Sequence, residues 1–144
     1  MSIIEKIHSF IFNRSSVLDS FENSLLDILA KNLDDKRRKV LSLQRSCFNK
    51  VYRDYEQEKK KETSYFYWQF FGRSRVDFPE LFPVNQKEQK LAALTITVPS
   101  GETIDVSYWV VNGVLFYIEL CSEDELFRPL SPDFEVSNLQ VNTL

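Results

Sequence analysis

Three glycines, two cysteines and one histidine in 144 residues leave little room for several kinds of chemistry. A phosphate-cradling loop needs closely spaced glycines so that backbone N–H groups can approach the anion, and Gly72, Gly101 and Gly113 form no such array. With His8 alone, a metal site of several imidazoles cannot form, and a Ser-His-Asp arrangement would depend wholly on that residue. Its place at the border of an apolar helical stripe reads as a partly exposed helix histidine rather than a general base. Cys47 and Cys121 stand 74 positions apart and carry no nucleophile motif. They suit reduced thiols in a cytosolic chain better than a disulfide framework, although a single bridge between them stays open.

Long apolar runs are also missing. No segment approaches the roughly 18 apolar residues of a membrane span, and Glu5, Lys6 and His8 interrupt the start "MSIIEKIHSFIFNRSS" where a leader needs an apolar core. The expectation is a soluble cytoplasmic protein that does not engage the membrane. "SEDELF", with Glu123 to Glu125, lacks the alternating ligands and glycine of a calcium loop and reads as a turn or a helix start capped by Ser122. No metal or cofactor is expected, and no enzyme.

Net charge is −3, but it is unevenly spread. Residues 34–61 hold ten Lys and Arg against five Asp and Glu, whereas residues 100–144 hold Arg128 alone against eight acids. Two readings stand: opposite charges solvated on one surface, or an acidic face that speeds encounter with a basic partner. The basic string at 36–39 with Arg45, Lys50 and Arg53 could meet phosphates, and "SYFYWQFF" could stack bases. Overall acidity and the absence of an RNA-binding signature among those aromatics argue against nucleic acid.

The pattern divides the chain into a helical front, about residues 2–45, a sheet-forming part, about 47–121, and a polar tail, 129–144. Ile3, Ile4, Ile7, Phe10 and Ile11 recur at helical spacing. A second helix, capped by Ser15 or Ser16, carries Leu18, Phe21, Leu25, Ile28 and Leu29 as one stripe, with Asp19 and Glu22 in its first turn. A third begins near Lys36. Residues 47–55 read as a strand because strand-favouring "ETSYFYWQFF" follows across a charged loop, yet one long helix over 35–61 also fits. Residues 72–90 hold Pro79 and Pro83 and read as a crossing loop pinned by Phe78, Leu81 and Phe82. The tail either adds an edge strand at 135–141 or frays. The expected fold is one α+β domain: two or three helices packed on one face of a mainly antiparallel sheet of about five strands that ends in a meander.

"YWVVNGVLFYIEL", residues 108–120, signals a hairpin but is apolar almost throughout. A two-residue type I′ turn at Asn112-Gly113 is the strongest short-range expectation, pairing Val111 with Val114 and Trp109 with Phe116, but that register mixes apolar and polar residues on each face. A three-residue loop over 111–113 with Gly113 as a bulge sorts them. In that register Val110, Tyr108, Val106 and Ile104 face the helices opposite Val114, Phe116, Ile118 and Leu120, and Val98 pairs with Ile104. Trp109, Leu115 and Tyr117 then lie on the outer face with Asp105 and Glu119, and those two acids stand directly opposite one another, a pairing that costs energy. Aromatics with acidic neighbours make a candidate partner-binding surface, unless residues 65–71 or the loop with Phe78 and Phe82 cover them.

"SYWVVNGVLFYIEL", following "LSLQRS" and "LAALTITVPSG", resembles small bacterial proteins whose closing hairpin reads Trp-x-Val-Asn-Gly-x-Leu-Phe-x-Ile-Glu, over about residues 40–121. In size and helices-then-sheet layout these are similar to immunity proteins that neutralise toxins delivered between bacteria. The resemblance implies a non-enzymatic protein-binding module, an immunity-type inhibitor that occludes a basic toxin domain, and it transfers no functional residue. The alternative is a cone-shaped α+β pocket, helices against a curved sheet, that binds or isomerises a small apolar ligand beside Tyr108 or His8.

Overall fold

The computed structural model describes residues 17–129 and 133–142. The expected helix over residues 3–11, and His8 within it, lie outside that range. Helix α1, Ser20–Asn32, starts at Asp19, whose side chain accepts from the Glu22 N–H while the Glu22 carboxylate accepts from the Asp19 N–H. This reciprocal box satisfies two of the helix's orphan donors, so the start falls at Asp19 rather than at the expected serines. Helix α2, Asp35–Cys47, is capped by Asp34. It ends before strand β1, Lys50–Glu56, so residues 47–55 contain a helix end and then a strand, not one long helix.

The remaining strands are β2 (Lys61–Tyr67), β3 (Gln69–Phe70), β4 (Arg73–Ser74), β5 (Glu88–Thr97), β6 (Thr103–Val111), β7 (Val114–Cys121) and β8 (Glu135–Val141). Six of them form an antiparallel sheet in the order β1-β2-β7-β6-β5-β8, and β3 and β4 form a separate small hairpin. The sheet therefore has one strand more than expected, because the polar tail pairs with β5 as an edge strand. Its residues are mostly exposed, as suits an edge that has little apolar surface to bury. The 72–90 segment begins with β4 and runs irregularly to β5. Phe82 pins it in the core and Phe78 is half-buried, but Leu81 is exposed.

The closing hairpin departs from the three-residue loop. Asn112 and Gly113 both have positive φ, 50° and 81°, as a two-residue type I′ turn requires, and Val111 pairs with Val114. The bulge lies further along, at Phe116: Val110 faces Leu115, but Trp109 already faces Tyr117. One inserted residue there sorts the faces, as a bulged loop would have done. Ile104, Val106, Tyr108 and Val110 point inward as expected, now with Leu115, Ile118 and Leu120, while Val114 and Phe116 are only half-buried. On the next strand Leu94 pairs with Val106 and Ile96 with Ile104, two residues from the expected register, and an even slip leaves each side chain on its face.

Leu25, Leu26 and Leu29 of α1 and Val40 and Leu41 of α2 join this inward set in one core, with Leu33 between the helices. Tyr108 is fully buried and donates its hydroxyl to the Leu25 carbonyl at 2.6 Å, so it does not offer that group to a ligand beneath the helices. Buried Gln44 of α2 donates to the Glu80 and Gly113 carbonyls and accepts from the Leu115 N–H, each at 2.9 Å. It clamps the hairpin turn where β2 no longer runs beside β7. Gly113 is held so close that an added Cβ would lie 3.0 Å from both Leu81 Cβ and the Phe82 carbonyl oxygen.

Candidate interface on the open sheet face

With the helices on one side, the residues alternate to the other. Trp109, Asp105 and Ser107 of β6, Tyr117 and Glu119 of β7, and Tyr65 and Tyr67 of β2 share this outer face with Tyr52 of β1. The Trp109 and Tyr117 rings stack with centroids 5.8 Å apart and planes 13° from parallel. Tyr65 meets Tyr117 and Phe116 at 5.5 Å and Tyr52 at 6.3 Å, and Phe116 meets Tyr67 at 5.3 Å edge-on. The bulge that repairs the register thus also turns Phe116 into this band. Such offset and edge-on pairs are the geometries aromatic rings favour. The rings are half-buried by one another, except for Tyr52, which is 56% exposed.

Charges border the band. Lys90 stands 5.3 Å from the centre of the Trp109 ring. The Tyr117 hydroxyl donates to Glu88, and burial together with that carboxylate holds the phenol well above its ordinary range. Lys61 bonds Glu119 at 2.9 Å, and this contact raises the ammonium above its usual pKa. Asp105 accepts from the Thr95 hydroxyl at 2.9 Å. The outward positions of β1, β2 and β5 to β7 include the carboxylates Asp54, Glu56, Glu88, Asp105 and Glu119 against Lys50, Lys61 and Lys90.

Of the five residues expected to meet a partner, Trp109, Tyr117, Asp105 and Glu119 are brought together on this face. Leu115 is not: it is fully buried, because the bulge follows it instead of preceding it. The bulge also separates the two acids, so Asp105 faces Cys121, Glu119 faces Ser107, and the like-charge pair does not form. Tyr52, Tyr65, Tyr67 and Phe116 complete the band. Alternation puts Tyr65 and Tyr67 on one face of β2 and Tyr52, but not Tyr55, on the matching face of β1, and only the strand order β1-β2-β7 sets them beside Tyr117.

Just past β2, Trp68 packs against Phe78 at 5.2 Å, and Phe78 against Phe48. The hairpin of β3 and β4 extends beyond it and exposes Phe70 and Phe71, the latter at 91%. Residues 65–71 therefore do not lie as a cover over Trp109. Much of the basic block is neutralised where it stands, through Arg37–Asp34, Arg38–Asp35, Arg45–Asp27 and Arg53–Glu22, while Lys60 and Lys61 reach Glu123 and Glu119.

Among the described residues, no group of three or more His, Cys, Asp or Glu is placed to hold a metal ion, and no helix is long and apolar enough to cross a membrane. Cys47 and Cys121 are both free thiols, and burial pushes that of Cys121 up. Comparison with known proteins brings no match from family models, curated proteins or solved structures.

Proposed function

We propose that this chain is a non-enzymatic protein-binding module that docks a basic protein surface on the open face of its sheet. The observation that carries this reading is the aromatic band running from Trp109 through Tyr117, Tyr65 and Phe116 to Tyr67, whose rings pack against one another and each keep part of their surface exposed. Tyr and Trp dominate binding energy where they form a rigid patch, and they lose little entropy on docking. Asp105, Glu119 and the neighbouring carboxylates outnumber the lysines of this face and favour a positively charged partner. The specific form we propose, resting on the resemblance of the closing hairpin, is an immunity-type inhibitor that occludes a basic toxin domain.

The test is affinity capture from the native cell with the wild-type chain, Trp109→Ala and Tyr65→Ala. One basic protein should be retained by the wild type and lose at least about 2 kcal/mol of affinity with either variant. Melting temperatures should stay within a few degrees of the wild type. A large loss of stability in Trp109→Ala, or equal capture by all three chains, would remove this face from binding.

A further inference from the structure

We propose that a cleft beside the closing hairpin is a binding site for a small aromatic carboxylate, adjoining the aromatic band of the sheet face and sharing Tyr67 and Phe116 with it but not Trp109. β2 and β7 pair from Lys61–Cys121 to Tyr65–Tyr117 and then part, because Phe116 is bulged and Gln44 takes the Leu115 N–H in place of a strand. The wedge between the strands opens to a cleft of about 260 Å³ lined by Phe66, Tyr67, Trp68, Phe78 and Phe116, with Arg75 among its walls. That volume falls just under the range of about 300–1,000 Å³ usual for ligand sites, so one or two fused rings fit and a nucleotide does not.

Arg75 supplies the polar anchor. Among the described residues lining the cleft it is the one acid or base charged at neutral pH, the rest being aromatic, aliphatic or neutral polar. Its N–H donates to the Trp68 carbonyl, and its guanidinium lies 4.3 Å over the Trp68 ring, so backbone and ring fix it together. Asp77 takes the guanidinium side-on, through Nε at 3.0 Å and Nη2 at 2.6 Å. Among the described residues none engages Nη1, which leaves the end-on pair Nη1 and Nη2 for a second carboxylate. The fork geometry of guanidinium allows both at once. An aromatic acid would place its rings among the five aromatic side chains and its carboxylate on that end.

The experiment is a titration followed by the indole N–H signals in a ¹H–¹⁵N spectrum, which the two tryptophans make simple to assign with Trp68→Phe. 2-Naphthoate should shift the Trp68 signal saturably at millimolar concentration and leave Trp109 in place. The neutral 2-naphthalenemethanol should bind roughly tenfold more weakly, and Arg75→Gln should abolish that preference. A peptide ending in free phenylalanine, compared with its amide, shows whether a chain terminus is taken in preference to the free acid. No saturable shift, equal binding of acid and alcohol, or movement of both indole signals would overturn the proposal. Trp109→Ala leaves this binding unchanged, so its outcome is separable from that of the sheet-face reading.

Discussion

Glu22 and Glu62 sit in one buried charge cluster and should respond in opposite directions to the same substitution. Among the described residues, three carboxylates, Asp19, Glu22 and Glu62, face two guanidinium groups, those of Arg53 and Arg128. Glu22 is 1% exposed; burial pushes its carboxyl up, but hydrogen bonds from Arg53 at 2.6 and 3.0 Å, with Ser64, Asp19 and Arg128 adding to them, hold it below the usual range. Glu62 stands 3.1 Å from Arg128, yet burial raises its carboxyl, and the neighbouring acids add to the shift. Replacing Glu22 by glutamine removes the charge from its two short bonds to Arg53 and should cost about 3 kcal/mol at pH 7, the low end for a broken buried pair. Arg53 keeps Asp19 at 3.7 Å, which limits the loss. The melting temperature should fall by roughly 10 °C for a chain of this size.

Glu62→Gln should instead stabilise the protein at pH 7, since it removes the surplus charge and keeps an acceptor for Arg128. The pH dependence separates the two. The Glu22 contribution is present above its unfolded pKa and is lost as pH falls through the lower folded value; Glu62 is least costly below its unfolded pKa and loses that advantage as pH rises through the higher folded value. Urea unfolding of the wild type and both variants at pH 7 and pH 4 measures this. The gain from Glu62→Gln should fade at pH 4, and so should the loss from Glu22→Gln. A Glu62→Gln variant less stable than the wild type at pH 7 would refute the surplus-carboxylate account.

Two further substitutions probe the clamp on the closing hairpin. Gly113→Ala adds a Cβ at φ +81° and 3.0 Å from Leu81 and Phe82, so it should destabilise by about 1–3 kcal/mol in urea unfolding; a neutral result would show that the 81–82 segment yields freely. Gln44→Leu keeps the bulk but strips partners from the Glu80 carbonyl and the Leu115 N–H, and should cost about 2–4 kcal/mol. Hydrogen exchange at Leu115 should rise with it, and unchanged protection there would place the clamp elsewhere.

Short-range pattern was enough for the apolar stripe of α1, the start of α2, the inward set from Ile104 to Val110 and the outward position of Trp109, Tyr117, Asp105 and Glu119, while the end of α2 stayed open to a longer helix. Each follows from a period of 3.6 or 2, a local property of the chain, whereas the cap of α1 falls at Asp19 and not at the expected serines. The two-residue Asn-Gly turn was equally local, and it formed as the dipeptide dictates. What failed was the inference that the turn must absorb the mismatch in the faces. A bulge at Phe116 absorbs it because the core accepts Leu115 between Val110 and Gln44, a packing constraint from residues distant in sequence.

The same distinction governs the functional surface. The sequence by itself determined that Trp109, Tyr117, Asp105 and Glu119 alternate outward on their strands, since alternation needs only the pleat. Tertiary structure decided that β2 lies beside β7, which gathers rings from residues 52, 65, 67, 109, 116 and 117 into one band, and that Leu115 is withdrawn from it. It also decided that Glu22 is buried beside two arginines and that Trp68 and Arg75 face a cleft. Strand order and bulge position depend on how the whole core fills its volume, and no window along the chain contains that information.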